Sequence, residues 1–119
     1  MSEIQRKQSN ARMSQIVIHQ GVAYLSGQVQ SQLAAGSPSI EEQTRDVLAQ
    51  IDALLAKAGT DRSKLLTAQI LLADIAEFDR MNRVWEGWID AENPPARTTH
   101  GARLAHPNVR VEITVSAAV

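Results

Sequence analysis

At 119 residues the chain has the length of one ordinary domain, and 44% hydrophobic with 21% charged residues is a globular composition. Twelve basic against thirteen acidic side chains leave a formal net charge of -1, so overall charge draws the chain to neither a phosphate backbone nor an anionic membrane. The absence of cysteine excludes disulfides, thiolate nucleophiles and cysteine-based metal centres. The start, Met1 to Lys7, lacks an apolar stretch of signal-peptide length, and nowhere do about 18 apolar residues run together. The expectation is a single soluble, cytoplasmic domain over residues 1–119.

Residues 1–13 are polar and read either as a short edge strand or as a loose arm. Gln15 to His19 and Val22 to Gly27 are rich in Val, Ile, Leu and Tyr, and Gly21 between them can take a positive φ, which predicts a β-hairpin. Gln28 to Ser37, polar and ending near Gly36 and Pro38, reads as a loop.

Ser39 followed by Glu42 is a capping-box pattern, and Ile40, Val47, Leu48, Ile51, Leu54, Leu55 and Ala58 then recur at helical spacing up to Gly59. This helix is expected to bury Val47, Ile51, Leu54 and Leu55, with Glu41 and Arg45 forming an i,i+4 pair on the wet side. Leu65 to Ala73 reads as a buried central strand. Asp74 and Glu77 then cap a second helix, expected to run to about Asp90 with Phe78, Met81, Trp85, Trp88 and Ile89 on one side and to be ended by Asn93-Pro94-Pro95.

Ala96 to Ala102 is a strand, His106-Pro107-Asn108 a turn, and Val109 to Ala117 a strand whose alternation puts Val109, Val111, Ile113 and Val115 opposite Arg110, Glu112, Thr114 and Ser116. The order β-β-α-β-α-β-β predicts an α+β fold with both helices on one sheet face. A second copy of the chain is the expected cover for the other face.

No phosphate loop, nucleophile elbow or metal-ligand spacing occurs, and His19, His100 and His106 are scattered. Two residues remain. Arg97, behind the rigid Pro94-Pro95, presents a planar fork suited to a carboxylate, or else is a solvated or salt-bridged surface arginine. Glu112 is either an exposed strand residue, a structural partner of Arg97, or a carboxylate that orients a water and takes its proton.

Four segments together resemble the reactive-intermediate deaminase (Rid/YjgF) family: Val22-Ala23-Tyr24-Leu25-Ser26-Gly27-Gln28, Ala73-Asp74 with Phe78 and Met81-Asn82-Arg83-Val84-Trp85, Pro95-Ala96-Arg97-Thr98-Thr99, and Val109-Arg110-Val111-Glu112-Ile113. The start at Arg12-Met13-Ser14 and the end Ala117-Ala118-Val119 are similar to the YoaB-type branch. The resemblance implies a chorismate-mutase-like α+β fold, a homotrimer, and a cleft at each subunit interface. It further implies hydrolysis of 2-imino acids to 2-oxo acids and ammonia without metal or cofactor.

By the same resemblance, Arg97 grips the substrate carboxylate and Glu112 places the water. Ser26 and Gly27 match the cleft segment after the second strand, Asn82 an asparagine beside the pocket and Thr99 a substrate-binding position where many members have cysteine; Trp85 and Trp88 read as packing residues first, Trp85 also as a minor candidate for the pocket wall. Met13 is the departure, standing where deaminating members carry a tyrosine whose hydroxyl a thioether cannot replace. Two other readings follow: a trimer that binds small carboxylates without turnover, and, last, an endoribonuclease or translation inhibitor. Neutral charge and only four aromatic residues disfavour the last.

Overall fold

The computed structural model describes residues 3–32 and 38–119; positions 33–37 of the expected loop, Gly36 among them, lie outside the described residues. In chain order the elements are β1 (Gln5–Ser9), β2 (Ser14–His19), β3 (Val22–Leu25), α1 (Ile40–Lys57), β4 (Leu65–Leu72), α2 (Phe78–Trp88), β5 (Ala96–Gly101) and β6 (Val111–Ala118). They form one six-stranded mixed sheet in the order β1-β2-β3-β6-β4-β5, in which only β4 and β5 run parallel. Two helices and a mixed sheet make the α+β architecture that the order of segments implied. The polar start of the chain is the edge strand β1, and β5 is the opposite edge.

Local chemistry accounts for most boundaries. Gln20 and Gly21, with φ of 50° and 79°, make the tight two-residue turn between β2 and β3. Ser39 Oγ accepts from the Glu42 amide and Glu42 reaches back, so the capping box of α1 is complete, and Gly59 at φ 83° follows its end. The side of α1 carrying Val47, Ile51, Leu54 and Leu55 is buried. It packs with Ile16, Ile70, Leu72, Met81, Ile113 and their neighbours into one core between the helices and the sheet. Among the described residues no helix is long and apolar enough to cross a membrane.

Four expectations need correction. The i,i+4 partner of Glu41 is displaced: its carboxylate takes a two-pronged bond from Arg80 of α2, at 2.7 and 2.9 Å, instead of meeting Arg45. A planar fork offers two parallel donors, which a lone i,i+4 contact on the surface cannot match. Asp74 caps a single 3-10 turn, Ile75–Glu77, and α2 proper begins only at Phe78.

The prolines do not end α2. It stops at Trp88, with Ile89 turning extended, because Asp90 organises its own turn by accepting from the amide of Glu92 and from the side chain of Asn93. Lastly, β4 is interior in the sheet but buried on one side only, and Leu66 is 43% exposed. Among the described residues no further layer covers the face away from the helices. A depression of about 660 Å³ lies there, lined by Tyr24, Thr67, Gln69, Thr98, Thr114 and Ser116.

Candidate functional site

Arg97 is the second residue of β5 and lies opposite Ala68 of β4, which lies opposite Val115 of β6. Directly opposed residues of neighbouring strands share a sheet face, so Arg97 points with these two buried residues toward the helices. There Arg97 Nη1 donates to Asn82 Oδ1 at 2.8 Å. Its guanidinium carbon sits 5.4 Å from the ring centre of Trp85 and 5.9 Å from that of Phe78.

Phe78, Asn82 and Trp85 are spaced i, i+4, i+7 along α2, so one stripe of that helix supplies all three contacts. Among the described residues no carboxylate pairs with Arg97. Burial pushes its pKa down from the ordinary value, and the charge of Glu86 opposes this only in part. An arginine stays protonated in proteins. The result is a half-buried cation held by neutral groups, with the rest of its fork free for an anion.

Thr99, two residues further along β5, shares the face of Arg97, and its buried Oγ1 has no hydrogen-bond partner. The structure therefore brings Arg97, Asn82 and Thr99 together. Phe78 was expected only to pack; it is instead 37% exposed beside the guanidinium. The i, i+4, i+7 stripe ending at Trp85 was the available signal.

Glu112 lies elsewhere. It is opposite Leu71 and alternates with the buried Val111 and Ile113, which puts its side chain on the uncovered face. Arg97 and Glu112 are thus on opposite faces of one sheet, two strands or about 10 Å apart across it. This rules out Glu112 as a partner of Arg97 within the chain.

The close neighbour of Glu112 is Gly27. A Cβ on Gly27 would stand 2.2 Å from Glu112 Oε2 and 3.0 Å from Thr114 Oγ1, so the carboxylate is seated where only glycine leaves room. Paired backbone bonds between Gln28 and Ile113, 2.9 and 3.1 Å, hold the Gly27 segment against β6. Ser26 Oγ donates to the Ser14 carbonyl at 2.6 Å, tying the same segment to the start of β2.

Met13 immediately precedes β2 in the turn after β1, with its amide bonded to Asn10 Oδ1 and its residue 38% exposed. It lies with the Ser26–Gly27 end of the sheet, four strand spacings or about 19 Å from β5. The expected site residues consequently fall into two groups: Arg97, Asn82 and Thr99 beside the β5 edge, and a line that runs from Glu112 on the interior strand β6 through Gly27 and Ser26 to Met13 before β2.

The profile of the Endoribonuclease L-PSP family matches residues 3–119. The chain is 43% identical over 116 residues, 98% of each protein, to the RutC family protein YoaB of Escherichia coli strain K12. It is 34% identical over 77 residues, 65% of this chain and 41% of the other, to an Arabidopsis thaliana chloroplast protein named Reactive Intermediate Deaminase A. Its fold is similar to the crystal structure of a YjgF-family protein from Neisseria meningitidis, with a TM-score of 0.92 and 40% identity over 98% of this chain and 94% of that one.

Proposed function

Because this chain belongs to the Endoribonuclease L-PSP family, also called YjgF or Rid, we propose that it hydrolyses reactive 2-imino acids, and their enamine tautomers, to 2-oxo acids and ammonia. The observation that carries this reading is Arg97, a cation fixed by Asn82 and two aromatic rings and, among the described residues, without an ion-paired carboxylate. Such a fork is prepared for the carboxylate of a small substrate. The name of the Arabidopsis relative supports the same chemistry.

In this reading Arg97 holds the substrate carboxylate and Glu112 takes a proton from water as its oxygen bonds to the C=N carbon, the nitrogen gaining a proton. The C–N bond of the resulting carbinolamine then breaks. The hydroxyl proton passes by way of Glu112 to the nitrogen, so ammonia leaves with the bonding pair and the oxygen left on carbon becomes the 2-oxo group. The imine is already electrophilic, so orientation of substrate and water is the main task and no cofactor is called upon.

The separation of the two groups on one sheet asks for a neighbour. We propose a homotrimer in which the β5 edge of one copy meets the Gly27–Glu112 line of the next, the uncovered sheet faces turned inward. Light scattering on the purified chain is expected to give three times the monomer mass; a monomer that is fully active overturns the shared site.

The activity is tested by generating imines from several amino acids with an amino-acid oxidase while semicarbazide competes to trap them. The chain is expected to deplete the trapped imine, and Arg97→Ala to lower that rate about a hundredfold. An unchanged rate in Arg97→Ala ends the reading.

Met13 favours one alternative, a trimer that binds 2-oxo acids without turnover, because its thioether has no proton to donate to the site. Saturable 2-oxo acid binding with no ammonia release above background would select it. The nuclease of the family's description fits less well: the net charge is -1 and aromatic platforms for bases are few.

A further inference from the structure

A second basin lies on the far side of α2, away from the sheet. Glu41 of α1 meets Arg80 of α2, and Asp52 of α1 accepts from Trp88 Nε1 at 2.9 Å, so the two helices run side by side in the same direction. Between those contacts is a groove of about 580 Å³, within the range of small-ligand sites. Its floor is Leu48, Ala49, Val84 and Gly87, and Trp88 stands at one end. That end is closed by Arg62, which bonds the Trp88 carbonyl at 2.6 Å and Asp52 at 2.8 Å.

The charges around the groove are unequal in their commitments. Its acidic groups, Glu41 and Asp52, are engaged by Arg80 and Arg62. Arg45 and Arg83 each lie about one turn beyond the Glu41–Arg80 contact, one on either bank. Both are exposed, and neither has an ion pair among the described residues. Gly87 is a further sign. Its backbone is not left-handed, and nothing lies within 4 Å of where a Cβ would stand, so neither conformation nor packing calls for glycine where alanine would support the helix better. What the glycine does is keep the floor bare.

We propose that this groove is a binding site for a small amphipathic oxyanion, of carboxylate or phosphate type, with its head between Arg45 and Arg83 and its apolar body on Val84, Gly87 and Trp88. Two forks can share one oxyanion, and the apolar floor gains from being covered. The site is independent of Arg97, which lies on the inner side of the same helix.

The full-length protein carrying Arg97→Ala, which removes the other carboxylate fork, is titrated with 4-phenylbutyrate and with phenylbutyl phosphate, following tryptophan fluorescence and calorimetry. Saturation at one site per chain by either probe is expected, the tighter one identifying the head group. Arg45→Gln with Arg83→Gln is expected to weaken it at least tenfold, and Gly87→Leu, which places a side chain over the floor, to do the same. The inference is overturned by equal affinity for uncharged 4-phenylbutanol, by indifference to Gly87→Leu with its fold intact by circular dichroism, or by no saturation.

Discussion

Two arginines bordering α2 are handled in opposite ways. Arg110, just before β6, gives Nη1 to Glu77 Oε2 at 2.7 Å; that carboxylate is nearly buried and also faces Arg80 at 3.5 Å, which in turn grips Glu41. Cations and carboxylates alternate there and tie α1, α2 and the β6 approach together. Arg97 receives an amide oxygen and two ring faces but no anion. Its position is fixed while, among the described residues, no carboxylate pairs with it and the charge of Glu86 offsets its burial only in part, and placing a cation that way costs free energy unless something answers it. The comparison teaches that fixed carboxylates turn an arginine into structure, whereas neutral holders keep one available to a ligand.

The comparison breaks if the two arginines respond alike. The hundredfold loss of activity expected for Arg97→Ala is the larger effect and should come with little change in Tm. For the committed arginine the order reverses. Glu77→Ala leaves the Arg110 guanidinium without its carboxylate and should lower stability by about 2–3 kcal/mol in urea denaturation. The variant should keep its kcat/KM at temperatures where it is folded. A Glu77→Ala chain of unchanged stability would show that the alternating network is ornamental.

A smaller effect sharpens the other side. Asn82→Ala removes the side-chain acceptor of the Arg97 guanidinium, while Phe78 and Trp85 still limit where the guanidinium can go. About a tenfold fall in kcat/KM is expected, roughly the worth of one charge-assisted bond. Because the substrate carboxylate is held in ground and transition states alike, most of that fall should sit in KM. A loss confined to kcat would instead place Asn82 in the chemistry.

Much of the fold was legible because its signals are local. Ser39 with Glu42, the positive φ at Gly21 and the alternation from Val109 to Ser116 each act within a few residues, and all three lie where their chemistry puts them. What eluded the sequence depends on partners distant along the chain. Glu41 chose Arg80, 39 residues away, over Arg45 on its own helix. Spacing alone equally left open whether Arg97 and Glu112 share a sheet face; only the register through Ala68 and Leu71 puts them on opposite sides. Gly27 gained its meaning in the same way, from Glu112 lying across it.

The smallest expected effect tests how far the committed network extends toward the surface. Hydrogen bonds from Arg80 hold the Glu41 carboxyl at about 2, well below its ordinary 4.5. A carboxyl whose pKa is lower in the folded than in the unfolded chain stabilises the fold fully above its unfolded value. That contribution is lost as pH falls toward the folded one. Stability should therefore decline between about pH 4.5 and about pH 2, and Glu41→Gln, which cannot ionise, should flatten that limb while leaving stability near neutrality only slightly reduced, as befits an exposed pair. If thermal melts of the two proteins run parallel throughout that window, the Glu41–Arg80 contact adds nothing to the network, and the structural role of the committed arginines ends at Glu77.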